Sequence, residues 1–196
     1  MTHDKKNIMV ILSSPSGVGK TTLTKKIQQK YHTFKVSVSH TTRAPRSNEI
    51  NGVDYYFIST QKFKELIKQD HFYEYAKIFQ NYYGTSKSEV DKLLSKNDII
   101  FDIDWQGTKQ MSNFKNLKFL KIFLIIEKAE LHERLIKRNQ NTKKEIDKRF
   151  NSFEENIKHW NDYDYVLINK NLEVCFKQIE DIIALHKNSI SELHKF

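Results

Sequence analysis

At 196 residues, with 38% hydrophobic and 29% charged side chains, the chain has the length and balance of one globular domain that buries its own core. A single cysteine, Cys175, excludes an intrachain disulfide framework, and the apolar run Ile8–Leu12 is too short for a signal-peptide core or a membrane span, so we expect a cytoplasmic protein with no membrane partner. The net charge of +9 rests on 28 Lys and 5 Arg, but the lysines are scattered rather than blocked, which fits solvated faces and not a nucleic-acid surface.

Asn7–Ser13 is a short apolar run ending in a Ser/Pro/Gly loop and predicts a buried strand. Val18 to Lys30 has helical spacing, with Leu23 and Ile27 four apart, and Phe34–Ser39 alternates like a strand. A polar loop with Pro45 and Asn51-Gly52 leads to a strand at Tyr55–Ile58 and a helix at Thr60–Lys68 that carries Phe63, Leu66 and Ile67 on one side. Phe72–Ala76 reads as extended. Ser86 and Glu89 have capping-box spacing and predict a helix to about Ser95.

Ile99–Ile103 is an apolar run with an acid near its end, and Phe119–Ile126 predicts a central strand. About Glu130 to Trp160 is charged and helical, read as two helices with a second capping box at Thr142 and Glu145 between them. Tyr165–Ile168 predicts a last strand and Leu172–His186 a last amphipathic helix. Strands separated by helices argue an α/β fold with a mainly parallel sheet.

Ser14-Pro-Ser-Gly-Val-Gly-Lys-Thr21 follows the first strand and opens the first helix, which is the context of a Walker A phosphate loop. Gly17 and Gly19 let successive main-chain N–H groups turn towards one anion, Lys20 would reach the β- and γ-phosphates, and the Thr21 hydroxyl would ligate Mg²⁺. Ser14 stands where the motif has its first glycine, a position that asks for a small residue. The acid that completes the Mg²⁺ site is Asp102 or Asp104, in Ile100-Phe-Asp-Ile-Asp-Trp-Gln-Gly107 at the end of an apolar strand. The arginines form two groups, Arg43 with Arg46 and Arg134 with Arg138 and Arg149. In a chain that otherwise uses Lys, these planar donors mark candidate anion sites.

A GTPase is one phosphate-loop alternative, since Asp104-Trp-Gln-Gly107 fits DxxG and Asn169-Lys170 begins NKxD, but Leu172 stands where the guanine-reading Asp would be. The rest of the chain, from Ile8 to about Ile183, resembles the guanylate kinases. Ser37-Val-Ser-His-Thr-Thr-Arg-Ala-Pro-Arg46 is similar to that family's SVSxTTRxPR block and Glu49-Ile-Asn-Gly-Val-Asp-Tyr-Tyr-Phe57 to its continuation. Phe72-Tyr-Glu-Tyr-Ala76, Asn81-Tyr-Tyr-Gly-Thr85 and Asp102-Ile-Asp-Trp-Gln-Gly107 resemble the remaining blocks in the same order.

The resemblance implies an ATP- and Mg²⁺-dependent kinase of GMP, and of dGMP. Ser14, Pro15, Ser16, Gly17, Val18, Gly19, Lys20, Thr21, Thr22 and Asn169 would bind ATP, with Asn169 near the adenine. Arg43, Arg46, Tyr55 and Tyr83 would hold the GMP phosphate, and Ser39, Glu74, Thr85 and Asp104, with Asp102 close by, would surround the guanine. Lys20, Arg43, Arg134, Arg138 and Arg149 would act in transfer, with Thr21 and Asp102 the Mg²⁺ ligands. The implied division is a phosphate-loop core at about residues 1–36, 91–126 and 159–196, a small mixed α/β GMP-binding insert at about 37–90 and a helical lid at about 127–158. The lid departs most from the family, with Asn139-Gln-Asn-Thr-Lys-Lys-Glu145 where relatives carry a glycine and acids. The scaffold modules that share this fold without catalysis usually lack a working phosphate loop, whereas Lys20 and Thr21 are present here.

The chemistry agrees with that resemblance. Guanine presents N1–H and N2–H₂ side by side, and an ionised Glu74 is acceptor-only, whereas adenine would set the N1 lone pair against the carboxylate. A phosphate monoester has its second pKa near ~6, so the acceptor is already an anionic nucleophile at neutral pH and no general base is required.

Overall fold

The structure, a computed structural model, describes residues 7–137 and 143–192. In chain order the strands and helices are β1 (Met9–Ser13), α1 (Lys20–Lys30), β2 (Phe34–Val36), β3 (His40–Thr41), β4 (Tyr56–Phe57), α2 (Thr60–Lys68), β5 (Phe72–Ile78), β6 (Asn81–Ser86) and α3 (Lys87–Leu94). They continue with β7 (Asp98–Asp102), α4 (Trp105–Met111), β8 (Phe119–Ile125), α5 (Lys128–Lys137), α6 (Lys143–Asn151), α7 (Phe153–Ile157), β9 (Tyr165–Ile168) and α8 (Leu172–Glu192).

Five strands form a parallel sheet in the order β2-β7-β1-β8-β9. Every residue of β1 is buried, as a strand covered on both faces requires. Alternation divides its side chains between two cores. Val10 and Leu12 point with Ile100, Leu120, Ile122 and Leu124 towards Leu23 and Ile27 of α1, Leu131 of α5 and Ile179 of α8. Met9 and Ile11 point the other way with Ile99, Phe101 and Phe123, covered by Val90 of α3 and Met111 of α4. Leu12 pairs with Asp102, so the loop after β1 and the acid at the end of β7 emerge side by side at the carboxyl edge of the sheet.

The second sheet has the order β4-β3-β6-β5, with β3 and β4 parallel and the other pairs antiparallel. Its apolar face rests on Phe63 of α2, which stacks on Phe72 and Tyr82 at centroid distances of 4.7 and 5.3 Å. His40 lies against Tyr56 at 4.8 Å; burial, helped by the nearby His71, pushes its imidazole down to about 4, so it packs as a neutral ring.

Several boundaries differ from the sequence reading, each for a local reason. The expected strand Phe34–Ser39 stops at Val36, and the chain crosses from the core sheet into the second sheet, where β3 begins. Helix α1 starts at Lys20 rather than Val18, because Gly19 at its N-cap is left-handed, with φ 106°. The capping box at Ser86 and Glu89 does not form. The Ser86 hydroxyl is taken by His71 Nε2 and Ser88 Oγ at 3.0 Å each, and Glu89 accepts from Tyr56. Strand β8 lies inside the sheet, but β1 holds its centre. The charged stretch 130–160 contains parts of three helices, α5 to α7, and the second expected capping box, which needs Thr142, lies outside the described residues. Strand β6 and helix α4 were not anticipated.

Candidate active site

The loop Ser14–Gly19 and the cleft-facing ends of the second sheet enclose one cleft of about 560 Å³. It is lined by the expected nucleotide-loop residues Ser14, Pro15, Ser16, Gly17, Gly19, Lys20, Thr21 and Thr22, and by Ser39, Arg43, Arg46, Tyr55, Glu74, Tyr83, Asp102, Asp104, Arg134, Arg149 and Asn169. Two expected residues act from behind the wall. Val18 is fully buried in the core and offers its carbonyl, and Thr85 is fully buried beneath Glu74. Arg138 lies outside the described residues.

At the loop end, Lys20 Nζ stands 2.8 Å from Asp102 Oδ1 and donates to the Ile103 carbonyl at 2.9 Å. Thr21 Oγ1 donates to Asp102 Oδ2 at 3.1 Å. The two acids left open by the sequence therefore separate by position: Asp102 meets the loop, while Asp104 caps α4 through the Gly107 N–H at 3.0 Å. A hydroxyl and one carboxylate facing a phosphate loop are a hard-oxygen set of the kind Mg²⁺ takes when phosphates and water complete its shell. No cluster of three or more His, Cys, Asp or Glu suited to a metal occurs among the described residues, so this would not be an all-protein cage.

Behind the loop, Asn169 is only 1% exposed and donates through Nδ2 to the Val18 carbonyl at 2.6 Å. A carbonyl needs a donor there, which fixes the amide orientation and leaves Oδ1 buried without a hydrogen-bond partner among the described residues. A Cβ at Gly19 would come within 2.6 Å of that Nδ2, at a φ that side chains rarely adopt, so glycine is required twice over. Arg134 serves four acceptors: Glu130 at 2.6 Å, the Asn169 carbonyl at 2.8 Å, the Val18 carbonyl at 3.2 Å and the Lys170 carbonyl at 3.3 Å. Arg149 reaches across from α6 and donates to Ser16 Oγ at 2.7 Å.

The middle of the cleft is cationic and aromatic. Arg43 donates to Glu49 Oε1 at 2.8 Å and to the Ala44 carbonyl at 2.7 Å, with its guanidinium 5.4 Å from the Tyr55 ring centre. Glu49 also accepts from the Arg46 N–H at 2.8 Å. Burial alone would raise the Glu49 carboxyl, but these bonds hold it below the ordinary carboxylate range. Tyr55 meets Tyr83 edge-on at 6.0 Å. Burial, with Asp102 and Tyr83 adding to it, pushes the Tyr55 phenol up, so it stays a neutral donor.

Glu74 also lines the cleft and is 3% exposed. Thr85 Oγ1 donates to its Oε1 at 2.5 Å, and the antiparallel pairing of β5 with β6 sets the two residues opposite each other. Burial is the main cause that pushes its carboxyl up to about 7; Asp104 adds to it, and the Thr85 bond and Lys20 oppose it.

Sequence reasoning did not single out Glu49 as the residue that orients Arg43, nor the lining residues Ala76, Ile78, Phe79, Ser152 and Asn156. The alternation of β5 after Glu74 was the signal for Ala76 and Ile78. Phe79, at the turn with φ 57°, had none.

A phosphate loop that shares one cleft with a second cationic site and a buried carboxylate defines a phosphate-loop kinase of a small phosphorylated acceptor. Comparison with known proteins narrows this. The guanylate kinase family model matches residues 6–186. Over 188 residues the chain is 40% identical to a guanylate kinase of Clostridioides difficile, covering 95% of this chain and 92% of that one. Another from Rickettsia prowazekii is 39% identical over the full length of both. A crystal structure of guanylate kinase from Anaplasma phagocytophilum superposes with a TM-score of 0.77 at 28% identity, covering 93% of this chain and 87% of that one. The chain belongs to the guanylate kinase family. Among the described residues no helix is long and apolar enough to cross a membrane.

The burial of Glu74 has a cost that can be measured without substrate. Between its ordinary pKa near 4.5 and the folded value near 7 the folded protein binds more protons than the unfolded chain, so this group's contribution to stability falls as pH rises through that window. Glu74→Gln should be more stable than wild type at pH 8 by about 1–3 kcal/mol, with the difference shrinking towards pH 5. Urea unfolding at both pH values checks this. A variant less stable than wild type at pH 8 would contradict it.

Proposed function

We propose that the chain transfers the γ-phosphoryl group of ATP to GMP, and to dGMP, giving ADP and GDP. The observation that carries this reading is Glu74, an acceptor-only carboxylate when ionised, buried in the wall of the cleft that the phosphate loop also lines and held by Thr85. Both guanine donors, N1–H and N2–H₂, would find an acceptor there, and Ser39 and Asp104 line the same cleft. Adenine, with a lone pair at N1, would strand the carboxylate, and a site of this kind discriminates by roughly 10⁴-fold.

Arg43 and Arg46, with Tyr83 and the neutral phenol of Tyr55, would hold the GMP phosphate. The phosphate is its own nucleophile, so transfer needs alignment and neutralisation of charge rather than a base. Lys20, now on Asp102, would move to the β- and γ-phosphates, and the N–H groups of Gly17 and Gly19 with Arg149 above Ser16 would complete the cradle. Thr21 and Asp102 would hold Mg²⁺, which would supply positive charge to offset that of the donor phosphates. The unpartnered Oδ1 of Asn169 supports an adenine amino group beside the loop. We assign residues 37–90 as the acceptor-binding insert and 127–158 as the lid, and place the enzyme in the cytoplasm, where the buried thiol of Cys175 would stay reduced.

A coupled assay of ADP formation with GMP, AMP, CMP, UMP and dTMP tests the assignment. GMP should exceed each of the others in kcat/KM by about 10³-fold or more. A higher value with AMP or dTMP would overturn it. Arg43→Lys keeps the charge and loses the planar fork, and should raise KM for GMP by about tenfold with KM for ATP unchanged. A change confined to ATP would show that Arg43 serves the donor instead.

A further inference from the structure

Strand β5, which carries Glu74, is the outermost strand of the second sheet, so one of its edges has no neighbouring strand to hold it. Helix α4 of the core takes that place. Gln110 Oε1 accepts from the Tyr75 N–H at 3.1 Å, and Gln110 Nε2 donates to the Tyr75 carbonyl at 2.7 Å. One side-chain amide thus pairs with both main-chain groups of a single residue, as a further strand would. The N–H it holds belongs to the peptide unit that joins Glu74 to Tyr75.

The same helix meets the carboxylate itself. Gly107 lies three residues before Gln110, and a Cβ there would stand 2.5 Å from Glu74 Oε2 and 3.0 Å from its Cδ. Only a residue without a side chain lets α4 come this close. The helix start is fixed by Asp104, which caps the Gly107 N–H, and Gln110 Nε2 also reaches the Gln106 carbonyl at 3.3 Å. Glu74 is therefore held on two sides, by Thr85 from its own sheet at Oε1 and by α4 at its main chain and at Oε2.

We propose that Gln110 is a positioning residue for base recognition. By clamping the Glu74–Tyr75 peptide it fixes the depth of the carboxylate, and so sets the preference for a purine with a 2-amino group over one without it. The inference rests on Glu74 being the guanine acceptor. Hypoxanthine keeps N1–H and O6 but lacks the 2-amino group, so IMP has one bond fewer to lose when the carboxylate shifts. Slackening the clamp penalises GMP more than IMP.

The test is steady-state kinetics with GMP and with IMP on wild type, Gln110→Ala, Gln110→Glu and Glu74→Gln. Gln110→Glu keeps the size and one acceptor but sets a carboxylate oxygen against the Tyr75 carbonyl. Both Gln110 variants should lower the GMP:IMP ratio of kcat/KM by about tenfold, chiefly through KM for GMP, with KM for ATP and Tm close to wild type. If GMP and IMP lose equally and the ratio holds, Gln110 is an ordinary tie between helix and sheet and the proposal fails. If Glu74→Gln leaves the ratio unchanged, the reading of Glu74 as the base acceptor fails and the role of Gln110 falls with it. A ratio that collapses in Glu74→Gln but holds in both Gln110 variants overturns the positioning role alone.

Discussion

Glu74 is a carboxylate withdrawn from water with one short bond from Thr85, a glycine backbone against its other oxygen and Asp104 near enough to push its carboxyl further up. Burying such a group destabilises the ionised form, and no cation answers it with an ion pair among the described residues. Much of the surrounding structure serves to keep it in place. The β5–β6 pairing sets Thr85 opposite it, α4 packs against β5 with Gly107 against the carboxylate, and α4 is itself anchored by Asp104 just after the end of β7. On the proposed function, the charge that costs stability in the free protein would give guanine its acceptor, an exchange of stability for selectivity of the kind active sites commonly make.

The cations of the cleft are in the opposite situation, because each is already engaged. Lys20 sits on Asp102, Arg43 on Glu49 and a carbonyl, Arg134 on Glu130 and three carbonyls, and Arg149 on Ser16. On the proposed function, substrate phosphates would exchange partners with these groups rather than fill bare charges. The exchange keeps the guanidinium planes oriented beforehand, as Arg43 is by Glu49 below and the Tyr55 ring beside it. It also keeps the like charges of a +9 chain from facing one another unscreened in an empty cleft.

The phosphate loop and the parallel sheet were legible because their signals are local: an apolar run, then Ser14–Thr21, then a helix. Arg43 was marked by the scarcity of arginine in a lysine-rich chain, but Glu74 and Tyr55 were legible only through the resemblance of their blocks, since nothing in the spacing of one acid on a strand says that it will be buried. Helix α4 has seven residues with a glycine among them and mostly polar neighbours, which leaves no helical periodicity to read. Its one signal was an N-cap, Asp104 three residues before Gly107. The β5–β6 hairpin was hidden because its two-residue turn places Phe79, not Gly or Asn, at φ 57°. The stretch 34–39 shows the limit of alternation, which gives the faces of a strand but not the sheet it joins.

The pH dependence of GMP use tests the buried carboxylate most directly. If Glu74 must be ionised to accept from guanine, kcat/KM for GMP should fall as pH drops below about 7, with KM for ATP unaffected by that step. Protonation of the GMP phosphate near pH ~6 adds a second fall, common to wild type and to Glu74→Gln. The account predicts a break near 7 in wild type that is missing from Glu74→Gln. A wild-type profile flat through that range, or the same break in both proteins, would contradict it.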